Sequence, residues 1–176
     1  MPVYLPQSLG LSEVLMGVLL ALNPGGQAVF MLVFGRVADV TGRKRLITLG
    51  MAGSTLFALV AAAATLPATP VGRFAVGIVA FVLIAASFSA MTTGALAFIG
   101  DVAPPNRESE LMGLRTTAKG VGGVLGPVLV GGLALVVSKE VAFVVGAVPG
   151  VLATVLVGVT LVESHGARAR VPLFGD

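Results

Sequence analysis

Five apolar runs, each cut off by a few polar or turn-forming residues, set the pattern of this chain. They fall at Glu13–Phe34, Leu46–Leu66, Phe74–Phe98, Leu114–Val137 and Val141–Val162. About 20 mainly apolar residues in a helix cross the hydrocarbon core of a bilayer, and each run meets that length. The predicted fold class is an all-α integral membrane protein with about five transmembrane helices. The punctuation supports the division. Ser12 caps the first run, and Gly42 breaks the chain before the second. Thr69-Pro70 supplies a cap followed by proline at the first helical position, a few residues ahead of the third run. Pro104-Pro105-Asn106 stops one helix and starts the next, with Glu108 and Glu110 favourably placed near a positive helix end. Ser138-Lys139-Glu140 reads as a tight reversal before the fifth run.

Composition agrees with that solvent. The chain is 56% hydrophobic and 11% charged, with a mean hydropathy of +1.04, whereas soluble domains carry about 25% charged residues. Its 24 glycines suit close helix packing in a membrane. Tyr4 is the single tyrosine and tryptophan is absent, so phenylalanines and loop charges must anchor the helices. The net charge of +3 rests on few residues and suggests no nucleic-acid partner. The lack of cysteine excludes disulfides, thiolate metal sites and cysteine nucleophiles, and no cofactor or metal site is indicated. No Lys or Arg precedes Arg36, so the N-terminus lacks the charged start of a secretory signal. None of the runs holds an ionisable residue away from its ends, which leaves proton coupling without a visible carrier. His165 in the tail reads as solvated.

The placement of Lys and Arg predicts orientation. Arg36, Arg43, Lys44, Arg45, Arg107, Arg115, Lys119, Arg168 and Arg170 fall on one side, and only Arg73 and Lys139 on the other. Residues 1–12 are therefore expected outside the cell, 13–162 as the five-helix region, and 163–176 as a cytoplasmic tail. Both loops on the cytoplasmic side carry distinctive residues. The first is Gly35-Arg36-Val37-Ala38-Asp39-Val40-Thr41-Gly42-Arg43-Lys44, followed by Arg45. Gly35 permits a neighbouring backbone to come close, and Asp39 can accept from a helix N-terminus or pair with Arg43. Arg43, Lys44 and Arg45 can hold anionic headgroups. The second stretch is Asp101-Val102-Ala103-Pro104-Pro105-Asn106-Arg107, running through Gly113 to Gly126-Pro127-Val128-Leu129-Val130-Gly131-Gly132.

In order and spacing these two stretches resemble the signature of the major facilitator superfamily of secondary transporters, built as two six-helix halves. The resemblance covers most of the chain and implies one half-bundle without its first helix. Because only a short polar tail follows Val162, the spans resemble helices eight to twelve, the C-terminal half. The resemblance makes Gly35, Asp39, Gly42, Arg43 and Lys44 a gating latch, with Asp39 bonding near the start of a helix in the other half. A loop that only sets topology explains the arginines but not the Gly and Asp spacing. Asp101, Pro105 and Arg107 mark the second cytoplasmic loop.

Gly122, Gly126, Pro127 and Gly131 lie on a helix built to pack closely and bend, placed by the resemblance at the rocking interface between halves. Tight packing without motion fits the same residues. The third span corresponds to a cavity-lining helix, so Ser87, Ser89, Thr92 and Thr93 are candidate substrate contacts. Asn23 and Gln27 join them from the first span, where Asn23-Pro24-Gly25-Gly26-Gln27 is expected to interrupt the helical ladder. Hydroxyls bonded to their own helix and amides acting as interhelical glue are the competing readings. The second and fifth runs are nearly featureless, as lipid-facing helices should be. Arg115 and Lys119 share a face at the cytoplasmic end, where snorkelling headgroups compete with contacts to substrate or lipid phosphate.

The function implied is transmembrane transport of a small solute by alternating access in the cell membrane. The partners implied are the bilayer, the solute and a missing N-terminal half from the same gene or a separate chain. The rival is a truncated or partner-dependent fragment with no transport of its own. An intramembrane protease is disfavoured, because His165 lies outside the spans and Asp39 and Asp101 sit in different loops with no converging pair.

Overall fold

The computed structural model describes residues 12–63 and 66–164. Apart from Ser12 the N-terminal segment lies outside the described residues, as does the tail beyond Ser164 with His165, Arg168 and Arg170. Five helices follow in order: α1 (Glu13–Thr41), α2 (Arg43–Ala62), α3 (Pro70–Val102), α4 (Glu108–Val136) and α5 (Lys139–Thr160). All are long and apolar enough to cross a membrane, and no strand occurs among the described residues.

Polar residues start the helices as the sequence suggests. The hydroxyls of Ser12, Thr69 and Ser138 accept from the backbone N–H of Leu15, Gly72 and Val141. Each satisfies one of the donors that a first turn leaves without a partner. Between α3 and α4, the Arg107 N–H donates to the Pro104 carbonyl over 3.1 Å. Pro105 and Asn106 occupy the centre of that turn, and Asn106 takes a φ of 67°. Asn tolerates this left-handed conformation better than most side chains.

Several helices outrun their apolar runs at the ends that carry the two motif stretches. The stretch expected as a loop from Gly35 to Arg45 is helical except at Gly42. With φ of 94°, Gly42 turns the chain in a single residue, a conformation costly for anything with a Cβ. The expected interruption at Asn23–Gln27 is also absent, since α1 continues through Pro24. Proline still removes one donor there, but the helix on either side is long enough to hold the axis.

α3 is the hub, packed on α1 and α2, while α2 also packs on α5. Small residues set these approaches. A Cβ added at Gly26 of α1 would lie 3.0 Å from the Ala85 Cβ of α3. Gly50 and Gly53 of α2 face Ser87 and Met91 of α3, and Gly150 of α5 faces Thr55 of α2. Met16 and Leu19 pack with Phe74, Ile78 and Phe81 toward one end of the bundle, and Ala38, Leu46 and Ala90 with Phe34 toward the other. α2 is thus lipid-facing on one side only, where Leu49, Leu56 and Leu59 are exposed. α4 is different. It has no buried residue and only light contact with α3 and α5.

Candidate functional site around Gly42 and Arg43

Gly42 lets α2 begin where α1 stops, so Arg43 emerges at the first helical position of α2 beside the last turn of α1. Its guanidinium then meets three acceptors. Nε donates to Asp101 Oδ2 over 2.9 Å, Nη1 donates to the Ala38 carbonyl over 2.6 Å, and Nη2 lies 3.1 Å from Asp39 Oδ1. The planar fork of an arginine suits such divided recognition. Arg43 and Asp101 keep only 12% and 16% of their side-chain exposure, whereas Asp39 keeps 71%. Asp101 therefore belongs to the last turn of α3 and to this cluster, and it anchors Arg43 more firmly than Asp39 does.

The residues after α5 close the cluster from the other side. Glu163 Oε1 accepts the backbone N–H of Arg43 over 2.8 Å and that of Lys44 over 3.4 Å. The buried Ser164 hydroxyl donates to Asp101 Oδ2 over 3.2 Å. Gly42 has no side chain with which to cap α2, so a carboxylate from elsewhere satisfies the donors and faces the positive end of the helix dipole. A Cβ at Gly42 would lie 2.5 Å from that carboxylate. Glu163→Gln keeps the acceptor but removes the charge, and should cost about 1 kcal/mol. Thermal unfolding in detergent should show a fall of about 2–4 °C, with a larger fall for Glu163→Ala. An unchanged melting temperature in both variants would remove Glu163 from the cap.

Asp39 and Asp101 do converge, contrary to the reading that placed them in separate loops. The C-terminal ends of α1 and α3 are neighbours, and Arg43 fills the space between the carboxylates. A guanidinium stands where a two-aspartate reaction would need its water. Pro105 and Arg107 stay apart from the cluster, on the turn into α4, where Arg107 forks onto exposed Glu110. Gly35 has open space around it, and the contact recorded for Lys44 in the cluster is through its backbone.

At mid-helix the Gln27 amide donates to Asn23 Oδ1 one turn earlier, and the Ser89 hydroxyl donates to the Gln27 carbonyl over 3.3 Å. Ser87 bonds the Leu83 carbonyl of its own helix over 2.6 Å and lies against Gly53. Thr92 is buried and its hydroxyl has no hydrogen-bond partner, while Thr93 is half-buried. Ser87, Ser89 and Thr92 are thus packed inside the bundle. In α4, Gly122, Gly126 and Gly131 have nothing within 4 Å of an added Cβ. Pro127 bears on the same open helix.

Lys119 departs from expectation. Its Nζ lies 4.7 Å from the centroid of the Phe88 ring on α3. Phe88 is thirteen residues from Asp101 and fifteen from Arg73, the nearest charged residues along α3 toward its two ends. At about 1.5 Å per residue, that is about 20 Å from either. The ammonium therefore sits near the middle of α3, so the spans do hold an ionisable group away from their ends. The reason is that α4 starts at Glu108, well before the apolar run, which places Lys119 three turns inside the helix. A charge at the bilayer centre costs at least about 2.5–3.5 kcal/mol. A cation over a ring gains about 0.5–2 kcal/mol, which falls short of that cost.

The sequence matches the Major Facilitator Superfamily over residues 1–176. The chain belongs to that superfamily. It is 33% identical over 155 residues to the class E tetracycline resistance protein of Escherichia coli, covering 86% of this chain and 35% of that protein. It is 32% identical over 135 residues to the class H tetracycline resistance protein of Pasteurella multocida, covering 75% of this chain and 31% of that protein. The chain spans about a third of the length of these relatives. No solved structure matches it. Membership agrees with the all-α fold, with a multi-pass place in the cell membrane, and with transport rather than enzymatic chemistry as the family's business.

Proposed function

We propose that the chain is the C-terminal part of a superfamily permease, resembling helices eight to twelve, and moves a small solute by alternating access with an N-terminal half. The observation that carries this is the inner cluster. Arg43 ties the ends of α1, α2 and α3, Glu163 adds the end of α5, and Asp39 remains open on its other side. A fixed knot with one exposed carboxylate suits a latch whose second element is supplied from outside the chain. The open glycine face of α4 suits a partner helix in the same way. On this reading the inner cluster and the residues after α5 face the cytoplasm, and residues 1–12 lie outside.

A second reading is favoured by length, because the chain spans about a third of its relatives. It is a fragment or half-transporter without flux of its own. Co-reconstitution of the 176-residue chain with a separately made N-terminal half in vesicles separates the two. Flux by the pair would remove the reading of an inactive fragment, and its absence alongside flux by a longer single chain would support it. An immunoblot of native membranes with an antibody to residues 163–176 shows which form exists. In that form, Asp39→Asn should lower transport at least about tenfold while membrane insertion persists, the scale of a lost charge-assisted bond. Normal transport by the variant would end the latch role.

A further inference from the structure

Resting on the proposal that this is a transporter segment, we infer that Lys119 receives the anionic group of the transported solute at the middle of the membrane. The solute class is then an organic anion bearing a carboxylate, phosphate or sulfonate. Three observations lead there. The ammonium is turned onto Phe88 near the middle of α3 rather than toward a helix end. About 20 Å separates Phe88 from the charged residue toward either end of α3, far beyond the reach of a snorkelling lysine, so a headgroup phosphate is not its partner. Among the described residues no carboxylate lies within ion-pair distance of it.

Its surroundings suit an anion. Ser87 of α3 is turned to Gly53 of α2, and Ser89 bonds Gln27 of α1, so both neighbours of Phe88 face the packed side. Phe88 and Lys119 meet across the lightly packed side between α3 and α4. Arg115, one turn nearer the inner end, shares the Lys119 face. Two cations one turn apart offer an anion successive resting points from the inner surface toward mid-membrane. The ring alone does not meet the cost of holding a charge at this depth, and a bound anion supplies the opposite charge that the ring lacks.

The test uses the 176-residue chain in phosphatidylcholine nanodiscs, with empty nanodiscs as blank. The probes are 4-fluorobenzoate and its neutral counterpart 4-fluorobenzamide, read by fluorine NMR. The benzoate should bind well above the blank and the amide should not. Lys119→Gln should weaken benzoate binding at least about tenfold, with Lys119→Arg within about threefold, as expected when a charge-assisted contact is removed or kept. Equal binding of amide and benzoate, no binding of benzoate, or full binding by Lys119→Gln would each overturn the assignment.

A second arm reads depth. The chain has three lysines, Lys44, Lys119 and Lys139. A membrane-impermeant amine reagent should label Lys119 at least about tenfold more slowly than Lys44, as expected for a group held at depth. Equal rates would show an ammonium at the interface and also sink the proposal. Neither arm reads flux, so failure of the short chain to transport is distinct from failure of Lys119 to bind an anion.

Discussion

Arg43→Gln should lower the melting temperature of the detergent-solubilised chain by about 5–10 °C. The argument starts from what the substitution strands. Arg43 binds Asp101, the Ala38 carbonyl and Asp39 at once, and Asp101 keeps only 16% of its side-chain exposure. Removing one member of a buried pair leaves the other charge uncompensated, at about 3–5 kcal/mol when burial is complete. Here the rim is partly wet and Ser164 still donates to Asp101, so about 2–3 kcal/mol is expected. For a chain of this size each kcal/mol moves the midpoint by about 2–4 °C. Arg43→Lys should recover only part of the loss, since a point charge cannot serve three directions. The decisive measurement is the double variant with Asp101→Asn, which removes the stranded charge. Its loss should be clearly smaller than the sum of the single losses, and strict additivity would show that the two side chains do not interact.

Gly50→Ala should be worse, although it adds one methyl group. A Cβ there would lie 2.5 Å from the Met91 nitrogen, 2.6 Å from the Ser87 carbonyl oxygen and 2.9 Å from the Met91 Cα. All three are backbone atoms of α3, so no flexible side chain can swing aside. α2 must move off α3, which also loosens Gly53 from Ser87. Overpacking of this kind costs about 1–3 kcal/mol and more where backbone must yield. A fall near 10 °C in detergent is expected, and parent-like melting would mean the helices are not so close. Gly126→Leu is the control. With nothing within 4 Å of its added Cβ, it should leave the isolated chain unchanged. If it harms a longer form but not this chain, the surface it disturbs lies between this chain and its partner.

Much of this was legible in the residues. Five apolar runs gave five helices, and Ser12, Thr69 and Ser138 cap as their types suggest. A pair with Arg43 was one of two roles open to Asp39, and the two do pair. What escaped was long-range. Glu163 bonds Arg43 across 120 positions, and no local pattern announces such a pair. The available signal was indirect: a helix starting after a glycine needs an acceptor from elsewhere, and a lone glutamate follows the last apolar run. Helix ends were misjudged because hydropathy reports where lipid begins, not where the hydrogen-bond ladder stops. That error also hid Lys119, which looked peripheral to an apolar run but lies well inside α4.

The order of synthesis gives the Glu163 cap a further meaning. α2 leaves the ribosome with its first-turn donors facing Gly42, and their acceptor is made 120 residues later. At about 5–20 residues per second the start of α2 waits several seconds or more for its cap. During that interval Arg43 and Asp101 can meet, but Ser164 and Glu163 cannot yet join them. The knot is thus completed only after α5 has been made, which makes its closure a record that all five of these helices have been synthesised.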